Sequence, residues 1–462
     1  MKSHKRLKKT KKKARLTEGS VGKTLTTLTI PMVFGIVGIV AFNLVDTFFV
    51  GRLGTDELSA LSFTFPVVLI INSIAQGLGV GAAAVISRAI GAGDHKQVQR
   101  LTTDSLVLSF SLVVLFAIAG QLTIEPVFRM LGANPHILSL TTQYMRIWYF
   151  GVAFVVIPMV GNNAIRATGD TKTPAAIMIV AVICNFVLDP LLIFGIGPFP
   201  RLGLRGAAIA TVFSRATTFI VSLSILHFRE KMLAFVLPAA RTVIQSWKRI
   251  LYIGIPNAGT RMIMPLAIGV ITRIVASYGK EAVAGYGVSS RVEFFALTVV
   301  MALRSVIAPF FGQNWGAGRF DRLRSGSTLS ARFSIFWGLF VYGLLFIFAR
   351  PIATLFNDNP EVVSTVIIYL RIVPIGYGLQ GILLISTASL NVLNKPLHAA
   401  LIAILQMFAL YVPLAFAGSK LFGLPGVFAS LAFVYCIAGI GSHFLLSHII
   451  HSEEQKYKKI HP

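Results

Sequence analysis

PMVFGIVGIVAFNLVDTFFVGRLG, residues 31–54, opens on a proline, closes on a glycine, and carries one acid, Asp46, in a mostly apolar run. The same frame returns 225 positions later as PNAGTRMIMPLAIGVITRIVASYG, residues 256–279, with Pro256 on Pro31 and Gly279 on Gly54. Asp46 has become Ile271. Working outward, the register holds without a gap from residue 31 to about 163 against 256 to about 388. GAG (91–93) falls on GAG (316–318), Asn134-Pro135 on Asn359-Pro360, and YMRIWYFG (144–151) on YLRIVPIG (369–376). After small length changes, GLRG (203–206) meets GLPG (423–426). One offset kept over so many marked positions means an internal duplication.

Composition says what is duplicated. The 462 residues are 55% hydrophobic and 13% charged, with a mean hydropathy of +0.76, too little charge to cover a water-soluble surface of this length. Apolar runs recur, each long enough to cross a bilayer as a helix, and no alternating strand pattern competes with them. Turn signals divide the chain into twelve spans starting near residues 25, 58, 102, 137, 172, 203, 248, 282, 327, 361, 396 and 424. The fold class expected is an all-α integral membrane protein of twelve transmembrane helices in two homologous six-helix bundles. The expected boundaries are a basic cytoplasmic tail over 1–24, a first bundle over 25–229, a cytoplasmic linker over 230–249, a second bundle over 250–450, and a cytoplasmic tail over 451–462. Six is even, so both bundles enter the membrane in the same direction and are related by a pseudo-twofold axis along the membrane normal. Alternating access uses that arrangement, and a transporter is expected rather than an enzyme.

The net charge of +25 sits mainly in MKSHKRLKKTKKKARL, the chain end KYKK and the loops expected inside. That is the positive-inside pattern of a plasma-membrane protein with both termini cytoplasmic, its tail touching anionic lipid, and not a nucleic-acid surface. The apolar stretch after the tail is too long for a cleaved signal peptide. Cys184 and Cys436 fall inside apolar spans, and no zinc or disulfide spacing appears.

Charged residues at membrane depth are expensive, so each one needs a reason. Asp46 lies about five residues from the outer end of helix 1, and Asp189 is similarly placed in helix 5, with Asn185 one turn deeper. Thr211 lies about seven residues inside the outer end of helix 6. These four could meet in the first bundle. The second repeat puts Ile271, about Met407, about Tyr411 and Leu431 in their places. A polar set present in only one of two homologous halves looks like a single coupling site. Two carboxylates, an amide oxygen and a hydroxyl suit Na+, and equally a proton. No cofactor beyond that coupling ion is expected. Pro31, about four turns before Asp46, would let helix 1 bend as the site fills, although Pro256 in the half lacking the acid is equally compatible with a static kink. Glu293 is a third deep acid, with Arg261, Arg273 and Arg291 as possible partners. The glycines of QGLGVGAAA (76–84) read as close helix packing.

These residues resemble a known family. A helix-1 proline followed by NLVDTFFVGRLG, GNNAIRATGDTKTP ending helix 4, NFVLDP in helix 5 and FGQNWGAG after helix 8 are together similar to the MATE multidrug and toxin extrusion transporters, in the DinF-like branch, over roughly residues 20–450. The resemblance implies a cation site in the first lobe that exchanges inward H+ or Na+ for outward movement of lipophilic, often cationic, drugs. It assigns cation-site roles to Asp46, Asn185, Asp189 and Thr211, and adds Asn162 to the lobe's polar network. Phe42, one turn before Asp46, stands where some relatives have tyrosine. The expected function is a secondary active multidrug efflux antiporter, working as a monomer on lipophilic small molecules. The alternative is a flippase for lipid-linked saccharides, which would need basic residues such as Arg261, Arg273 and Arg304 to hold a pyrophosphate.

Overall fold

The structure, a computed structural model, describes residues 14–236 and 238–460; most of the expected basic tail, residues 1–13, lies outside the described residues. The described residues are helical throughout, with no strand. In chain order the helices are α1 (Val21–Gly51), α2 (Thr55–Gly91), α3 (His95–Met130), α4 (Pro135–Ala167), α5 (Lys172–Phe194), α6 (Leu204–Arg229), α7 (Ala240–Ala276), α8 (Lys280–Gly316), α9 (Phe320–Phe356) and α10 (Pro360–Val392). The remaining helix, Pro396–Ile460, is interrupted at Gly423, whose φ of 64° and ψ of −149° are not helical. It is therefore two spans, α11 (396–422) and α12 (424–460), which brings the described spans to twelve. Large apolar side chains such as Phe34, Leu122, Phe150 and Leu355 are more than half exposed, the pattern of a surface facing lipid.

The repeated marks in the sequence are helix punctuation. Asn134 accepts a hydrogen bond from the Ile137 amide at 2.9 Å, with Pro135 as the first helical residue of α4. Asn359 does the same for Glu361 at 2.9 Å at the start of α10. Each pair satisfies an otherwise orphaned amide and places proline where its missing N–H costs nothing. The two GAG triplets end α2 and α8, with Gly93 and Gly318 at φ of 74° and 69°, a left-handed turn open chiefly to glycine. The repeats diverge where Pro374 replaces Tyr149. There α10 tightens into a 3₁₀ turn, Val373–Gly376, while α4 remains regular, because proline cannot donate the helical bond.

The chain forms two compact units. The first holds Ile30–Ala258, and the second holds Leu16–Thr29 together with Gly259 onward. In the first, α4 is central, packed by α2, α3 and α6, with α5 against α6. The segment 240–258 of α7 also belongs here: a side chain at Gly77 or Gly81 of α2 would collide with the backbone of Gly254 or Ile250, so these glycines serve close helix packing as expected. In the second unit, the Tyr377–Val392 half of α10 packs on α8, α9 and the chain beyond Val412. Residues 16–19 are tied to the same unit. Arg322 donates to the carbonyls of Leu16 (3.1 Å), Glu18 (3.2 Å) and Gly19 (2.6 Å). Asn314 donates to the Leu16 carbonyl at 3.1 Å, and the Leu16 amide donates to Gln313 at 3.1 Å. The FGQNWGAG motif thus acts through Gln313 and Asn314 as a clamp on the chain just before α1. Pro31 lies two residues past the point where α1 passes from one unit to the other, and the helix continues through it unbroken.

Candidate functional site

Three helices of the first unit carry the four polar residues singled out by sequence. On α5, Asn185 and Asp189 are one turn apart, so their side chains stack on one face, and both are fully buried. The Asn185 amide nitrogen donates to Asp189 Oδ1 at 3.1 Å. Asn185 Oδ1 and Asp189 Oδ2 then have no protein partner, although both are buried. Across the bundle, Thr211 Oγ1 of α6 donates to Asp46 Oδ1 of α1 in a long contact of 3.5 Å. Asp46 is partly accessible, and its carboxylate lies close enough to Asp189 for their charges to interact.

Two further residues complete the cluster, and both escaped the sequence reading. Tyr144 of α4, 4% exposed, interacts with Asp46, Asp189 and Thr211. Arg215, one turn beyond Thr211 on α6, is within electrostatic reach of Asp46 and Tyr144 without touching the carboxylate. Its guanidinium is held instead 4.1 Å from the centre of the buried Phe42 ring. Phenylalanine at position 42 therefore gives this arginine a cation–π seat. The spacing Thr211–Arg215 was a readable signal of a shared face. Tyr144 was hidden because the second repeat keeps a tyrosine there, Tyr369, so a search for polar residues unique to one half discards it.

The other candidates lie elsewhere. Asn162 is 18 residues from Tyr144 on α4, roughly 27 Å along the helix axis, and is not in this cluster. Its buried Oδ1 has no protein partner. Glu293 of α8 belongs to the second unit. It is met by tyrosines and not by the arginines expected: Tyr435 donates to Oε1 at 2.7 Å and Tyr369 donates to Oε2. Tyr286, Tyr377 and Tyr411 surround the same carboxylate.

At the N-terminal end of α5, Asp170 accepts from the Thr173 amide (3.0 Å) and hydroxyl (2.6 Å) and pairs with Arg229. Burial pushes this carboxyl up, but the bonds from Thr173 and Arg229 outweigh it and hold Asp170 below the usual carboxylate range. This is the GDTKT stretch, and its role here is to cap a helix and tie it to α6.

Chemically, the first-unit cluster presents two carboxylates, a free amide oxygen and a hydroxyl in a space lined by a tyrosine and one arginine. Two neighbouring buried acceptors without donors are the arrangement that a proton or a small oxygen-seeking cation completes. Among the described residues no group of three or more His, Cys, Asp or Glu side chains gathers as for a transition metal.

Comparison with known proteins places this geometry in a family. The MatE sequence profile matches the chain twice, over residues 31–191 and 256–417, the two copies of the repeat. A Shewanella oneidensis protein named FAD transporter is 40% identical over 437 residues, spanning 94% of this chain and 96% of that one. The Staphylococcus aureus multidrug export protein MepA is 25% identical over 429 residues, 92% of this chain and 93% of its own. The crystal structure of the Vibrio cholerae MATE transporter VcmN in the bent form matches with a TM-score of 0.90 at 30% identity, covering 94% and 98% of the two chains. Twelve apolar helices in two homologous repeats, matched by the family profile in each, lead to one conclusion: the chain belongs to the MATE family of membrane transporters.

Proposed function

We propose that the protein is a secondary active antiporter of the cytoplasmic membrane, with both termini inside, that exports lipophilic compounds in exchange for H+ or Na+. The observation that carries this reading is the pair of buried, partnerless oxygens of Asn185 and Asp189 beside Asp46. The coupling ion binds there, with Thr211 and Tyr144 completing its surroundings and Arg215 limiting how much negative charge the empty site holds. An ion drives transport only by binding one orientation of the protein more tightly than the other. Filling the site from outside neutralises the two acids and favours the orientation that has released its solute outward.

The solute class has two readings. The multidrug export relatives support lipophilic cations. The 40% identical relative named FAD transporter supports an anionic, phosphate-bearing aromatic solute instead, such as FAD itself. Everted vesicles loaded by an imposed pH gradient or an imposed Na+ gradient, scored separately for ethidium and for FAD, test both. Gradient-driven uptake of one solute that disappears in Asp46→Asn supports the coupling role. Wild-type rates in that variant overturn it.

A further inference from the structure

In the second unit, the end of α9, the turn 357–359 and the start of α10 enclose an open-sided cavity of about 510 Å³. Arg350, Asp358 and Arg371 bring charge to its wall, Ser364 a hydroxyl, and Ile367 and Ile368 apolar side chains. The two arginines meet there by way of Phe346. Arg371 holds its guanidinium 5.2 Å from the centre of the Phe346 ring, and Phe346 lies one turn before Arg350 on the same face of α9. All three charged residues are exposed, and among the described residues Asp358 forms no ion pair with either arginine.

The repeat shows that this wall is not part of the common frame. At the matching positions the first unit has Glu125 for Arg350, Arg146 for Arg371 and Ala133 for Asp358. Thr142 and Gln143 stand in place of Ile367 and Ile368, and Gln143 accepts a hydrogen bond from Arg205 at 3.0 Å. The surroundings of the cavity are those of a lipid-facing surface. Leu355, next to the lining residue Thr354, and Ile375, one turn beyond Arg371, are more than half exposed. Charge is ordered by depth. Asp358 sits in the turn, whereas Arg350 lies six residues before Phe356, roughly 9 Å down α9, and Arg371 eleven residues after Pro360, roughly 16 Å down α10. A phospholipid with an amine headgroup has the complementary order: a cation outermost, a phosphate below it, and chains below that. It answers all three charges, whereas a headgroup without an amine leaves the Asp358 carboxylate facing a second anion.

We propose that this groove binds one phospholipid with a primary-amine headgroup, phosphatidylethanolamine being the simplest, in the leaflet at the α9–α10 turn. Arg350 and Arg371 take the phosphate oxygens, which guanidinium forks match in a bidentate geometry. Asp358 accepts from the ammonium, and the acyl chains run past Ile367, Ile368 and Phe346. With both termini inside, this is the outer leaflet. The site depends neither on the coupling ion nor on the solute carried.

Native mass spectrometry of the whole protein in detergent, titrated with the dioleoyl form of phosphatidylethanolamine, phosphatidylcholine or phosphatidylglycerol, reads the affinity for the first bound lipid. Wild type is expected to hold phosphatidylethanolamine about 10-fold more tightly than either of the others. Phosphatidylcholine has no N–H to give Asp358, and phosphatidylglycerol has no cation. Arg350→Gln and Arg371→Gln should each weaken the amine lipid about 10-fold. Asp358→Asn should bring it level with phosphatidylcholine. Arg371→Lys, which keeps the charge and loses the fork, should be intermediate and serves if the glutamine variants fail to fold. Arg146→Gln, at the matching place in the first unit, should change nothing; a loss equal to that of Arg371→Gln would overturn the assignment to this groove. Phosphorylethanolamine, the headgroup without chains, should not displace the lipid at equal concentration, and displacement would overturn the lipid as occupant. Equal affinities for the three lipids in wild type, unmoved by the variants, overturn the site. Failure of gradient-driven transport in vesicles leaves this binding result standing and falls on the coupling reading alone.

Discussion

The two repeats share a frame and fill it with different chemistry. Where the first unit has Asp46, Asp189, Thr211 and Arg215 around Tyr144, the matching positions of the second hold Ile271, about Tyr411, Leu431 and Tyr435 around Tyr369. Ile271, Leu431 and these three tyrosines all lie in one buried apolar cluster. The second unit has its own acid, Glu293, but on α8, and there two tyrosine hydroxyls satisfy it. The acid cluster of the first unit leaves Asn185 Oδ1 and Asp189 Oδ2 without a protein donor. An acid with a donor at each oxygen stabilises packing; an acid with one buried oxygen left without a donor is completed by a proton or a small cation. Duplication supplied two bundles, and among the described residues only the first leaves a carboxylate oxygen buried without a donor, the feature on which the proposed coupling site rests.

Matched substitutions break or sharpen that contrast. The largest effect is expected at the α5 position. Asp189→Asn should reduce gradient-driven efflux by about 100-fold, near the upper range of a coupling free energy, whereas Tyr411→Phe at the equivalent place should leave the rate within about two-fold. Vesicle efflux at matched expression measures both. Equal losses from the two would erase the distinction between the units.

An intermediate effect is expected at the α6 and α12 pair. Tyr435→Phe removes one of the two donors to Glu293 and should cost about 1–3 kcal/mol in resistance to unfolding, read as a lower melting temperature in detergent. Arg215→Met should leave stability little changed and impair ion-driven transport. Reversal of these two outcomes would mean that the polar groups of the first unit serve packing and those of the second serve coupling.

The smallest effect concerns the start of α5. The folded state holds the Asp170 carboxyl lower than the unfolded chain does, so its contribution to stability is present above the ordinary carboxylate range. It is lost as pH falls through the depressed folded value. Because Arg229 is half exposed, the contribution is about 1 kcal/mol or less. Asp170→Asn should lower the melting temperature slightly at neutral pH and not at all in acid, as thermal scans at both pH values would show.

Much of this was legible before any coordinates. Span-length apolar runs place nine of the twelve helix starts to within about four residues, because lipid leaves a chain no alternative to internally bonded helix. The helices α3, α7 and α9 begin seven or eight residues earlier than expected, on polar first turns that an apolar run does not mark. The offset between Pro31 and Pro256 exposes the repeat, and the absence of Asp46 and Asp189 from its second copy singles out the polar cluster. What could not be read was partnership across helices. Nothing in the spacing of Glu293, Tyr369 and Tyr435 says that three separate helices bring them together, and arginines close in sequence looked like better partners. Tyr144 stayed hidden because its counterpart Tyr369 made it look like part of the common frame. The break at Gly423 was visible as a turn signal, yet the attachment of residues 16–29 to the second unit was not, since it depends on Arg322 reaching back some three hundred positions to main-chain carbonyls.

The central claim is that Asp46 and Asp189 bind one ion between them, and a double-mutant cycle tests it most directly. Gradient-driven ethidium efflux is measured in everted vesicles for wild type, Asp46→Asn, Asp189→Asn and the double variant. A shared ion predicts that either single substitution abolishes coupling and that the double variant is no worse than each alone. Partial losses that multiply in the double variant would show two independent acids and contradict the account.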